Sequence, residues 1–124
     1  MADTSLEKPL IEGFFAVLRD GGTDRLDMLV TEDCADGDPL PFQLPGRAGG
    51  AQEVRLFRAS HPDARIVIES VERTASGARA TWTTTARGLG GAAGEATWRF
   101  TGVFEIDLLA GKIRASRLEQ SGAV

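Results

Sequence analysis

Two aspartates, Asp36 and Asp38, stand two residues apart in a stretch rich in glycine and proline. Carboxylates so placed could share one proton, and a carboxyl in an apolar pocket has its pKa raised until it works as an acid or base near neutral pH. The plainer reading makes both of them turn formers beside Gly37 and Pro39, hydrogen-bonding local backbone. His61, the sole histidine, has an ordinary pKa close to neutrality and is a second acid/base candidate; otherwise it is a partly buried residue between a helix and a strand. Trp82, Trp98, Phe100 and Phe104 could form a wall on which an apolar or aromatic ligand stacks, or simply a core. Cys34 is the sole cysteine, which excludes an intramolecular disulfide and a cysteine-based metal site, and with one histidine zinc is set aside as well. Cys34 reads as a small buried hydrophobe.

The elements that must position these residues follow from periodicity. Between Ser5 and Arg19, Leu6, Leu10, Phe14, Val17 and Leu18 recur at helical spacing, with Ile11 and Phe15 widening the stripe. Thr4 and Glu7 suit a capping box, and Gly21-Gly22 suits the stop. A short second helix is expected over Asp24 to Val30. The stretch Thr31 to Gly50 has three prolines and four glycines and reads as a long ordered loop. A third helix is expected from Ala51 to Ser60, ended by Pro62.

Arg65 to Arg73, Ala78 to Ala86, Ala96 to Leu108 and Lys112 to Gln120 are rich in β-branched and aromatic residues and predict four strands joined by short turns. In the longest, Trp98, Phe100, Gly102, Phe104 and Ile106 share one face, with Gly102 placed for a bend or bulge. Glu105 and Asp107 alternate to the solvated or interface side, Glu119 points away from Leu118 unless a bulge intervenes, and Arg117 reads as an ion-pair partner. Helices followed by strands imply an α+β class, helices packed on one face of an antiparallel sheet.

A chain of 124 residues, 42% apolar and 26% charged, is expected to form one soluble domain spanning 1–124. Its net charge of −4, with arginines scattered among acids, argues against a nucleic-acid partner. No apolar run is long enough to cross a bilayer and the N-terminus lacks a signal peptide's pattern, so cytoplasmic residence and no membrane partner are expected. Richness in Ala, Gly and Arg fits a high-GC bacterial source.

The segments DGDPLPFQLPGRAGG (Asp36 to Gly50) and LFRASHPDARIVIESVE (Leu56 to Glu72) resemble the SnoaL-like ester cyclase pattern D-H-D-P-L-P-x-Q-x-P-G-R-x-G, then F-R-A-x-F-P-D-x-R and a strand. ARATWTTTARG and TGVFEIDLLAGKIR extend the similarity over nearly the whole chain. The resemblance implies a nuclear transport factor two-like fold: three N-terminal helices and a strongly curved antiparallel sheet forming a cone with an apolar interior. It also implies a homodimer through the outer sheet face, no cofactor and no metal.

For function, the resemblance implies a polyketide cyclase or related cofactor-independent tailoring enzyme acting on a small apolar polyketide-type molecule. Such cyclases close a ring by an aldol step with an Asp in the last strand, after G-K-I-R-x-x-R; here that position is Leu118. Gly37 replaces the His of D-H-D, and Phe104 stands where a partner His would fall. Asp36 is then the expected base, with Asp38 or His61 assisting, and Trp82, Trp98, Phe100, Phe104 and Leu118 the expected substrate contacts. The alternatives are a non-catalytic ligand-binding or dimeric accessory domain, motivated by Leu118 and Phe104, and an epoxide hydrolase-like enzyme.

Overall fold

Residues 6–124 are described by a computed structural model. The first helix, α1 (Glu7–Asp20), buries Leu10, Ile11, Phe15 and Val17 along one stripe, as its spacing predicts. Gly21 ends it in the left-handed conformation, φ 77°, and returns its N–H to the Val17 carbonyl at 2.7 Å. Thr4 of the expected capping box lies outside the described residues. Glu7 is buried and pairs with Arg73 at 3.0 Å, fastening the helix start to the sheet.

A single-turn helix, α2 (Leu26–Leu29), leads into β1 (Val30–Asp36), where the sequence predicted loop. This strand runs parallel to the last one, pairing Val30 with Ile113 and Asp36 with Ser116. The third helix, α3 (Gly46–Ser60), begins five residues before the expected Ala51. Gly46 has φ 71°, and a Cβ there would lie on the Glu32 carbonyl oxygen of β1, so glycine permits a close approach of helix start and strand.

The remaining strands are β2 (Arg65–Arg73), β3 (Gly77–Arg87), β4 (Glu95–Asp107) and β5 (Lys112–Ala123). Spatial order is β1-β5-β4-β3-β2, with every pair antiparallel except β1 and β5. The α+β class and the curved sheet are as expected; the sheet is mixed because β1 joins its edge. Three register shifts leave Glu69, Arg114 and Glu119 as extra residues. Each such bulge sharpens the local twist, which curls the sheet around the helices. One shift lies opposite Gly102, the predicted bend.

Gly102 has a second reason to lack a side chain, since a Cβ would come within 2.9 Å of the Trp82 ring. The core fills the concave side, where Phe15 and Ile11 of α1 meet Ala78, Ala80, Phe104 and Ile106 of the sheet. The convex side is polar, laced by Arg79–Glu119 and Arg99–Glu69 ion pairs and by Thr81–Thr101 and Thr85–Thr97 hydroxyl pairs. No helix among the described residues is long and apolar enough to cross a membrane.

Candidate functional site

Between the helices and the concave sheet face lies a cavity of about 310 Å³, at the small end of ligand pockets. Its walls are aromatic: Phe14 and Phe15 from α1, Phe57 from α3, Trp82 from β3, and Phe100 and Phe104 from β4. Trp82 stacks on Phe100 with ring centroids 5.7 Å apart and planes 19° apart, and lies 4.7 Å from Phe15. A rigid apolar wall of this kind favours a flat or fused-ring ligand. Leu40 and Leu118, both partly exposed, flank the mouth.

Polar groups gather at one end of the cavity. Asp36 closes β1, Asp38 follows in the loop, and Glu53 projects from α3 one turn before Phe57. Asp36 Oδ1 accepts the Asp38 N–H at 2.8 Å, Asp36 Oδ2 accepts Gln43 Nε2 at 3.0 Å, and the Glu53 carboxyl adds a third hydrogen bond. A carboxylate offers about four acceptor sites, so one remains for a ligand.

The two carboxyls are driven apart in acidity. Burial pushes Glu53 up to about 8, helped by its hydrogen bond to Asp36 and by the charges of Asp36 and Asp38. Burial acts on Asp36 in the same sense but is outweighed there by the hydrogen bonds from Glu53, the Asp38 N–H and Gln43, which hold it below the usual carboxylate range, against the raised pKa expected of a carboxyl in an apolar pocket. The opposite shifts favour a single proton on the pair, held toward Glu53, with the negative charge toward Asp36. A donor and an acceptor of protons stand side by side against an apolar wall.

The sequence-predicted residues separate into two groups. Asp36, Asp38, Trp82, Phe100, Phe104 and Leu118 all line the cavity. Asp38, however, is not the group that shares the Asp36 proton: its Oδ2 accepts the Leu118 N–H at 2.7 Å, strapping the loop to β5, and the proton-sharing partner is Glu53. His61 lies outside the lining at the end of α3, its ring against Phe57 and its Nδ1 3.2 Å from the Arg87 carbonyl. Trp98 is also outside, because the Leu89–Gly91 turn folds over its indole, where a Cβ on Gly90 would come within 2.7 Å. Cys34 is half-buried, and burial followed by the Asp36 and Asp33 charges pushes its thiol up to about 11, which disfavours the nucleophilic thiolate.

Glu53 and Gln43 were not singled out from the sequence. The signal was present in the i, i+4 spacing of Glu53 and Phe57, which puts both on the face of α3 that lines the cavity. Among the described residues no group of three or more His, Cys, Asp or Glu side chains is arranged to hold a metal ion.

A known family covers this architecture: the SnoaL-like domain matches residues 11–116. The chain belongs to the SnoaL-like domain family. No curated protein sequence matches it. Among solved structures it is similar to a candidate polyketide cyclase from Acidithiobacillus ferrooxidans, 20% identical, with 98% of this chain and 91% of that one covered and a TM-score of 0.75. It is also similar to a SnoaL-like polyketide cyclase from Agrobacterium tumefaciens, 16% identical over 93% of this chain and 88% of that one, TM-score 0.72. A third is SalBIII, an epoxide hydrolase/cyclase-like enzyme with a role in pyran ring formation in the polyether salinomycin, 16% identical over 100% of both chains, TM-score 0.74. At these identities the likeness speaks for the fold.

Within this SnoaL-like domain, the departures noted in the sequence acquire physical causes. A Cβ on Gly37 would lie 2.6 Å from Arg117 Cβ and 3.1 Å from the Ser116 carbonyl oxygen, so the chain crossing from β1 toward β5 leaves no room for a histidine. Phe104 is buried in the aromatic wall, and Leu118 adds apolar surface at the mouth. Polar function is thereby concentrated at Asp36 and Glu53.

Proposed function

We propose that the cavity is the active site of a cofactor-independent ring-closing enzyme acting on a small, apolar, polyketide-type molecule. The observation that carries this reading is the juxtaposition of the Asp36 and Glu53 carboxyls, their acidities pushed in opposite directions, at the polar end of an aromatic cavity. Ring closure needs a base to take a proton from the nucleophilic carbon or hydroxyl, an acid to give a proton to the electrophile's oxygen, and walls that hold the two ends together.

Asp36 takes the proton as the new C–C or C–O bond forms, and Glu53 gives its proton to the carbonyl or epoxide oxygen that receives the electron pair. The pair is then left with its proton on Asp36, and transfer along their shared hydrogen bond resets it without bulk water. Aldol closure and epoxide opening by an internal hydroxyl make the same demand, and the electrophile distinguishes them.

The test offers the purified protein a panel of apolar keto esters and hydroxy-epoxides of fused-ring size, with products followed by mass spectrometry. Asp36→Asn and Glu53→Gln should each lower turnover by about 10²–10⁴-fold. Turnover in both variants equal to that of the wild type, or none by the wild type on either class, refutes the reading.

Leu118 supports a second reading, a binding domain without catalysis, because it puts an apolar side chain at the mouth in place of an acid. Tight binding of an apolar ligand that is unchanged in both variants would favour it. We also propose homodimerisation through the convex sheet face, whose Arg–Glu and Thr–Thr arrays can meet a second copy. Light scattering on a size-exclusion column that returns the monomer mass at micromolar concentration would contradict this.

A further inference from the structure

Asp36 and Glu53 have different chemical surroundings: Asp36 accepts hydrogen bonds from the Glu53 carboxyl, the Asp38 N–H and the Gln43 amide, and Gln43 is the one of these that also reaches the loop at the cavity mouth. Gln43 sits in the loop between β1 and α3, half-buried, with both ends of its amide engaged. Its Nε2 donates to Asp36 Oδ2 at 3.0 Å, while its Oε1 accepts the Leu40 N–H at 2.9 Å. Its own N–H donates to the Leu40 carbonyl at 3.1 Å. Leu40 lines the cavity, so one amide joins the reacting pair to the loop at the cavity mouth.

We propose that Gln43 is a positioning residue: its amide keeps Asp36 the ionised member of the pair, leaves the shared proton on Glu53, and couples that assignment to the seating of Leu40 at the mouth. The inference rests on the acid/base reading of the pair. Because the Gln43 oxygen is occupied by the Leu40 N–H, its nitrogen is the end that faces Asp36, and an amide nitrogen can donate but not accept. A donor aimed at a carboxylate stabilises the charged form. The Asp38 N–H adds a second donor on the other oxygen.

The charged groups around the pair make the assignment matter. Asp38 faces it from the loop, Arg117 lines the cavity from β5, and Cys34 lies on β1, while α1, β3 and β4 bring apolar rings and the Thr84 hydroxyl. Arg117 directs its guanidinium toward Glu119, 3.9 Å away, and is largely exposed. Gln43 is thus the side-chain donor held on Asp36 besides Glu53 itself.

The test is carboxyl carbon-13 NMR of the substrate-free protein across pH, with Gln43→Met and Gln43→Glu beside the wild type. In the wild type Asp36 should titrate at low pH and Glu53 near 8. In both variants the Asp36 step should move up by about one pH unit, and Asp36 should take a share of the step that belongs to Glu53 in the wild type. Gln43→Glu keeps an oxygen for the Leu40 N–H, so Leu40 amide protection should persist there and fall in Gln43→Met.

A purely structural role would change Leu40 protection and melting temperature while leaving the Asp36 step in place, and that result in either folded variant overturns the proposal. Absence of a step near 8 in the wild type would instead remove the proton-sharing pair, and the role of Gln43 with it. The two failures are thus separable.

Discussion

Glu53→Gln replaces a protonated carboxyl with a neutral amide of nearly the same shape, whose nitrogen can still donate to Asp36. In the wild type the Glu53 carboxyl rises from an ordinary 4.5 to about 8, burial first and then the Asp36 hydrogen bond and the Asp36 and Asp38 charges. Between those pH values the folded protein holds a proton that the unfolded chain has released, so stability falls as pH rises. At about 1.4 kcal/mol per pH unit the full span is at most about 5 kcal/mol. Water around a half-buried carboxyl screens this to about 2 kcal/mol.

Asp36 is lowered, so its own contribution has the opposite sign, being present above its ordinary pKa and lost on acidification below about 4. The window from pH 5 to 8.5 therefore belongs to Glu53. Melting temperatures of wild type and Glu53→Gln by circular dichroism, taken across this window, cancel every other titrating group when subtracted. The variant should gain about 2 kcal/mol on the wild type between pH 5 and 8.5, roughly 6 °C for a domain of this length. Parallel curves would show that Glu53 titrates as an ordinary glutamate and would refute the proton-sharing pair.

Three other expectations concern the walls. Gly37→Ala puts a Cβ 2.6 Å from Arg117 Cβ, so β1 and β5 must part, and chemical denaturation should show a loss of about 2 kcal/mol. Gly102→Ala presses on the Trp82 ring from 2.9 Å and drives it toward the cavity, so an apolar ligand followed by tryptophan fluorescence should bind about tenfold more weakly. Cys34, with its thiol pushed to about 11 against an ordinary 9.0, should react with a thiol reagent at pH 8 about a hundredfold more slowly in the native protein than in denaturant.

The C-terminal half was legible because its strands are rich in β-branched and aromatic residues and keep a period of two between their bulges. Arg65–Arg73 matches the expected strand end for end, and β3 and β4 differ from expectation by one residue at each boundary. The aromatic wall followed from the same alternation at Phe100 and Phe104. β1 was missed because Thr31, Glu32, Asp33 and Asp36 give it a largely acidic, polar pattern, and its pairing with β5 is a long-range contact with no local signal.

The early start of α3 was hidden by Gly46, Gly49 and Gly50, poor helix formers, of which the first two permit close packing: a Cβ on Gly46 would meet the Glu32 carbonyl oxygen and one on Gly49 would overlap that of Leu44. That error concealed Glu53, which in a helix starting at Ala51 reads as an ordinary first-turn acid. His61 drew attention through its chemistry alone, and its ring is engaged by the Arg87 carbonyl. Trp98 followed the alternation correctly but lies under the Gly90 turn, which strand periodicity does not register.

The most direct measurement of the central claim is the infrared spectrum of the carboxyl groups as a function of pH. A proton shared by Asp36 and Glu53 predicts a protonated-carboxyl band that is present at pH 7, disappears with a midpoint near 8, and is absent from Glu53→Gln. A wild-type spectrum at pH 7 with every carboxyl ionised would contradict it.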